Sequence, residues 1–269
     1  MIITGAADFY AIVGNPVQQV ASPSIFNARF NDSKQDAVMI PMNVEKSGLK
    51  SLLDTFRYTK NFKGIIITLP YKEHVINFLD DISIMSRNLN AVNIVLVQHG
   101  KLIGTMTDGQ GMIDAILNKK QLIKGKKVLI AGCGGAGRAI AWAIAENGAS
   151  HIFLQETRLG IEKAEQLLEI LNVNFPECYI HLNDPTTGTS SADILVNATP
   201  LGMHYSDSVV FSEEDVQCAE LVADVVTSPA NQLTKLLSLA TNTGKTTVSG
   251  YEMAAGQSKL IEKLFGINY

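Results

Sequence analysis

The chain has 269 residues, 46% of them hydrophobic and 18% charged, enough apolar material for one large core or two smaller ones. A net charge of −4 excludes a broad basic face for nucleic acid and a polybasic membrane anchor. Three scattered cysteines, no basic run ahead of the first apolar stretch and no apolar run of ~18 residues exclude a disulfide scaffold, a signal peptide and a membrane span, leaving a soluble cytoplasmic enzyme of small-molecule metabolism as the expectation.

Taken in order, residues 9–14, 38–44 and 64–70 are apolar runs bounded by Gly, Pro or Asn, and they predict strands buried on both faces. Residues 22–30 and 48–58 between them carry apolar side chains at helical spacing. Pro23 suits a first helical turn, with Ser22 before it as the expected cap. This βαβ alternation predicts a largely parallel sheet. Residues 91–107 read as two strands joined by a turn at His99-Gly100, and 111–120 as a helix. The alternation then restarts: a strand at 126–132, an Ala-rich helix at 136–148 ending at Gly148, and strands at 151–155, 179–183, 193–199 and 221–226. Residues 251–265 form an amphipathic helix. Thr186-Thr187 and Ser190-Ser191 read as a polar loop. The restart predicts a domain boundary near residue 104.

Gly132-Cys133-Gly134-Gly135-Ala136-Gly137 follows one of these strands and opens a helix. In that setting a G-x-G-x-x-G run lets backbone N–H groups face a pyrophosphate at the positive end of the helix. The next strand ends in Gln155-Glu156-Thr157-Arg158, where a dinucleotide fold senses the adenosine ribose. A carboxylate there suits the 2′-hydroxyl of NAD; Thr157 and Arg158 suit the 2′-phosphate of NADP. The five histidines have no ligand spacing, so no metal is expected. By residue type alone, Lys72 reads as a surface lysine and Asp108 as a helix cap.

The strings GNPVQQVASPSIFN (14–27), ITLPYKE (67–73), NAVN (90–93), TDGQG (107–111), GCGGAGRA (132–139) and NATPLGM (197–203) are similar, in this order, to those of the shikimate dehydrogenase family. So is the tail pattern Gly250, Met253, Gln257. The resemblance implies an N-terminal mixed or parallel α/β substrate domain over 1–103 plus 244–269, a Rossmann-type dinucleotide domain over 104–243, and a C-terminal helix packing back on the first. It implies hydride transfer between NADP(H) and C3 of a cyclic polyhydroxy acid, a step in aromatic amino acid biosynthesis, by a monomer or homodimer. Position by position it makes Lys72 and Asp108 the catalytic pair. It makes Ser22, Thr68, Asn93 and Gln257 substrate-binding. It makes Gly132, Cys133, Gly134, Gly135, Ala136, Gln155, Glu156, Thr157, Arg158, Val225 and Gly250 cofactor-binding.

The chain departs from the family at Val20 and Ile66, where a serine and an asparagine are expected. Thr227 stands for a tyrosine, Glu156 for an arginine, and Glu252 alters a turn. These changes thin the carboxylate end of the substrate site, so weak activity on shikimate itself is expected. Glu156 keeps NAD in play. A metabolite-binding protein without turnover is the alternative of a different class.

Overall fold

The computed structural model describes residues 2–183, 192–227 and 232–267. The loop at Thr186-Thr187 and Ser190-Ser191 lies outside them. The chain divides into two compact units. One runs up to Thr107 and resumes at Gln257; the other is Asp108–Gly256.

The first unit holds a six-stranded sheet in the order β2-β1-β3-β5-β6-β4. Its strands are β1 (Asp8–Gly14), β2 (Ala37–Asn43), β3 (Phe62–Ile67), β4 (Asp81–Ile82), β5 (Ile94–Gln98) and β6 (Lys101–Thr105). β1 pairs in parallel with β2 and β3, through crossovers containing α1 (Ser22–Asp32) and α2 (Leu49–Tyr58). β5 reverses the direction by pairing antiparallel to β3. β5 and β6 form a hairpin in which His99 (φ 51°) and Gly100 (φ 75°) both take the left-handed turn geometry that matches strand twist. α3 (Ile84–Leu89) is capped by Ser83, whose hydroxyl accepts from the Ser86 N–H.

Aromatic packing fills both faces of this sheet. Phe56 of α2 stacks on Phe62 with ring centroids 3.9 Å apart. On the other face Tyr10 stacks between Phe30 of α1 and Phe265. Gly64 makes room for Phe265: a Cβ there would lie 2.2 Å from the ring.

Two expectations need correction. β2 is not buried on both faces; Ile40, Pro41 and Asn43 are exposed, because β2 is an edge strand. An edge also tolerates Pro41, which has no N–H to give a neighbour. Ser22 does not cap α1. The cap position is Ala21, at φ −89° and ψ −25°, and no side chain bonds there. A cap residue normally sits in extended backbone, but the winding already covers Ala21 and makes Ser22 the first helical residue.

In the second unit the strands are β7 (Lys127–Ala131), β8 (His151–Gln155), β9 (Tyr179–Leu182), β10 (Ile194–Asn197), β11 (Leu221–Asp224) and β12 (Thr246–Val248). They form a parallel sheet in the order β12-β11-β10-β7-β8-β9. This is the doubly wound order, with its switch point between β7 and β10. The helices of this unit are α4 (Asp108–Asn118), α5 (Gly135–Glu146), α6 (Ile161–Asn174), α7 (Glu213–Cys218), α8 (Lys235–Asn242) and the first part of α9 (Gly250–Phe265). Near-continuous apolar strands such as β7 and β10 are what a sheet covered on both faces requires.

Candidate active site

In the first unit, pairing of Ile66 with Ile94 sets the exit of β3 beside the entry to β5. The Ile67 N–H donates to the Asn93 carbonyl at 2.7 Å, and the Val92 N–H donates to the Lys72 carbonyl at 2.8 Å. Lys72 is therefore held by its backbone in the turn after β3, next to the segment carrying Asn93, with its side chain half-buried. The adjacent Tyr71 is buried and donates its hydroxyl to the Val44 carbonyl, which anchors that turn.

Asn93, Thr107 and Gln257 are buried together. The Thr107 N–H donates to Asn93 Oδ1 at 2.8 Å. Asn93 Nδ2 donates to Thr107 Oγ1 at 3.0 Å and to Gln257 Oε1 at 3.1 Å. The Thr107 hydroxyl gives its one proton to Gln257 Oε1 at 2.6 Å. The carbonyl end of Gln257 is thereby committed to the network, and its Nε2 is the end left to donate outward. Such an arrangement suits hydroxyl groups, since an amide offers donors and acceptors in fixed directions. Asn93 and Gln257 carry motif signals in the sequence, whereas the signal of Thr107 is its place at the head of TDGQG.

Thr68 sits just past β3, with its N–H donating to the Val13 carbonyl at 2.9 Å. Its methyl lies 2.3 Å from where a Cβ on Gly14 would be, so only glycine allows this passage. Ser22 is buried at the head of α1. Beside it, Ser24 turns its hydroxyl back to the Ala21 carbonyl at 2.7 Å.

In the second unit Asp108 is the first residue of α4 and is buried. Gly109 beside it lets α4 approach α5, since a Cβ there would lie 2.3 Å from the Ala139 carbonyl oxygen. The division between the units falls at the Thr107–Asp108 peptide bond, so Lys72 belongs to one unit and Asp108 to the other.

The glycine loop lies at the switch point. Gly132 has φ 96°, and a Cβ on it would come within 2.9 Å of the Ala198 backbone. A Cβ on Gly137 would lie 1.8 Å from the Gly132 carbonyl oxygen. Gly134 precedes α5 and has nothing within 4 Å of an added Cβ, so the space above the helix N-terminus is open. Close packing below and open space above are what a pyrophosphate cradle requires, and the loop fits a dinucleotide. Cys133 contributes only its backbone; its side chain is buried in the core, and burial, then the Glu156 charge, pushes the thiol up to about 12.

Glu156 folds onto this loop. Its Oε2 accepts from the Cys133 N–H and its Oε1 from the Thr157 N–H, each at 2.8 Å. Gln155 accepts from Asn183 Nδ2 at 2.8 Å. Thr157 and Arg158 are exposed. Val225 and Gly250 adjoin, and a Cβ on Gly250 would lie 2.4 Å from the Val225 carbonyl oxygen.

Asp224 ties these segments together. Its Oδ1 accepts from Asn197 Nδ2 at 2.9 Å and from the Val226 N–H at 3.0 Å, and its Oδ2 accepts from the Thr234 hydroxyl at 2.6 Å. Burial pushes its carboxyl up to about 6, although the hydrogen bonds from Thr234, Val226 and Asn197 oppose this.

Residues 12–95 match the model of the shikimate dehydrogenase substrate-binding domain. Over 98% of this chain and 93% of the relative, it is 32% identical to a shikimate dehydrogenase (NADP(+)) of Alkaliphilus oremlandii. The chain belongs to the shikimate dehydrogenase family. The crystal structure of shikimate 5-dehydrogenase from Listeria monocytogenes in complex with shikimate and NAD superposes with a TM-score of 0.82 at 28% identity, covering 98% of this chain and 92% of that one. The ligand-free 5-ketofructose reductase of a Gluconobacter strain gives 0.79 at 29% identity, covering 96% and 92%.

Within this family frame, Glu252 has acquired a defined local role. Its Oε2 accepts from the Ser249 N–H at 2.8 Å and from the Ser249 hydroxyl at 3.0 Å, while Ser249 Oγ accepts from the Glu252 N–H at 3.3 Å. This reciprocal pair caps α9. Val20 is half-buried and Ile66 buried, and both side chains are apolar.

Proposed function

We propose that this chain is an NADP(H)-dependent oxidoreductase that moves hydride between the dinucleotide and C3 of shikimate or a closely related cyclic polyhydroxy compound. The observation that carries the reading is the buried Asn93–Thr107–Gln257 network, whose amide groups are fixed to read ring hydroxyls. The nicotinamide supplies the hydride chemistry. Lys72 takes the hydroxyl proton as the alcohol is oxidised and returns it in the reverse direction; a positioned base contributes roughly 10²–10⁴-fold to such a step. Asp108 is assigned with it as the second member of the pair. The glycine loop and the start of α5 hold the pyrophosphate, and Thr68 and Ser22 complete the substrate contacts. The reading carries with it a cytoplasmic location and a monomeric or homodimeric state.

A second reading, a substrate without a carboxylate, is favoured by the start of α1. Pro23 has no N–H. Those of Ser24 and Ile25 both turn to the Ala21 carbonyl, each at 3.1 Å, and the Ser24 hydroxyl does the same. Ser22 alone is left to bind an anion there. Steady-state oxidation of a panel of cyclic polyols and reduction of uncharged polyhydroxy ketones, in wild type and Lys72→Ala, tests both. Turnover of shikimate or a near relative, lowered by roughly 10²-fold or more in Lys72→Ala, supports the first reading. Turnover of the uncharged compounds alone supports the second. No turnover across the panel while dinucleotide still binds overturns both in favour of a binding protein.

A further inference from the structure

The end of β8 carries a carboxylate that the relatives' stated NADP use does not call for. Its placement is specific. Glu156 is held at both oxygens by backbone N–H groups, one from the glycine loop itself. Gly160 supplies the room: a Cβ there would lie 2.6 Å from both Cγ and Cδ of Glu156. The side chain is thus fixed at the spot where a doubly wound fold meets the adenosine ribose. Each oxygen has taken one N–H, and an ionised carboxylate accepts about four hydrogen bonds in all. Two acceptor positions therefore remain, enough for the 2′- and 3′-hydroxyls of an unphosphorylated ribose. Gln155 is turned away to Asn183. The cation within the same segment is Arg158, exposed in the short turn Arg158–Gly160.

Resting on the dinucleotide part of the reading above, we infer that Glu156 is a specificity-determining residue that makes this chain accept NAD(H) alongside NADP(H). Two opposed groups set the balance. Glu156 receives the hydroxyls of NAD(H) and repels a 2′-phosphate, while Arg158 attracts that phosphate. Both act through charge at a half-exposed site, so the preference shifts with ionic strength.

The test is direct binding, without substrate. The single tryptophan, Trp142, lies on α5, the helix that follows the glycine loop, and serves as donor for energy transfer to a reduced nicotinamide. Titrations of wild type with NADH and NADPH are expected to give dissociation constants within about tenfold of each other. Glu156→Gln is expected to tighten NADPH by roughly fivefold or more and to weaken NADH. Arg158→Ala, an exposed substitution that leaves the carboxylate in place, is expected to weaken NADPH by roughly fivefold and leave NADH unchanged. Wild type binding NADPH more than about a hundredfold tighter than NADH, with that ratio unmoved by Glu156→Gln, overturns the inference and leaves the proposed function standing. Binding of neither dinucleotide overturns both.

Discussion

Replacing Asp224 with asparagine isolates the energetics of the carboxylate that ties the cofactor cradle together. Burial raises its carboxyl from 3.8 to about 6. Between those values the folded chain holds a proton that the unfolded chain has lost, so unfolding free energy falls as pH rises. The contribution is fully present below the unfolded value and lost as pH passes the folded one. A shift of that size corresponds to about 3 kcal/mol, of which about 2 kcal/mol disappears between pH 4.5 and 7. Asp224→Asn keeps an oxygen for Asn197 and the Val226 N–H and removes the titration. Urea unfolding of both proteins from pH 4.5 to 7.5 gives the measurement, read as wild type minus variant so that other titrating groups cancel. That difference should decline by about 2 kcal/mol across the range. In thermal melts the same effect moves the wild-type midpoint, relative to the variant, by roughly 4–8 °C. Parallel profiles would refute the assignment of a buried, proton-retaining carboxyl at this position.

Lys72→Ala should lower kcat by roughly 10²–10⁴-fold with KM changed much less, and equal losses in both would remove its role as acid/base. Thr107→Val deletes the hydroxyl that donates to Gln257 and accepts from Asn93; it should cost about 1–3 kcal/mol in unfolding experiments and raise substrate KM, and unchanged KM would mean the network does not orient Gln257 toward a ligand. Gly137→Ala places a Cβ 1.8 Å from the Gly132 carbonyl oxygen; NADPH titration should show affinity falling by roughly tenfold or more, and wild-type affinity would contradict the packing of the loop.

Long, strongly patterned elements were legible in the sequence because their burial is written into their composition. β1, β3, β7 and β10 are apolar runs, and α5 stops at Glu146, two residues ahead of Gly148, whose φ of 79° is the left-handed turn that glycine provides. The short pieces were not. β4 has two residues and β12 three, too few for any period to show, and α3 and α7 have one or two turns each. α6 carries Ala164, Leu167 and Leu171 at helical spacing between mostly polar residues, a weaker signal than an unbroken apolar run. At the site, glycines and amides announced themselves through motifs. The partners that orient them, Thr107 for Gln257 and Asp224 for Asn197, come from segments distant in sequence. Such pairings are fixed by register and topology, which a single sequence does not display.

The course of α9 has a consequence for how the molecule is made. Gly250–Gly256 belongs to the second unit and Gln257 onward to the first. The first unit draws Phe265 into its aromatic stack, Glu262 into an ion pair with Arg29, and Gln257 into its amide network. The nucleotide-side unit is one uninterrupted stretch and is complete soon after the chain passes Gly256. The unit that holds the residues up to Thr107 stays unfinished until Gln257 and the helix turns after it have been synthesised. Birth order and completion order are therefore inverted, and a nascent chain halted before Gln257 carries a finished second half behind an open first one.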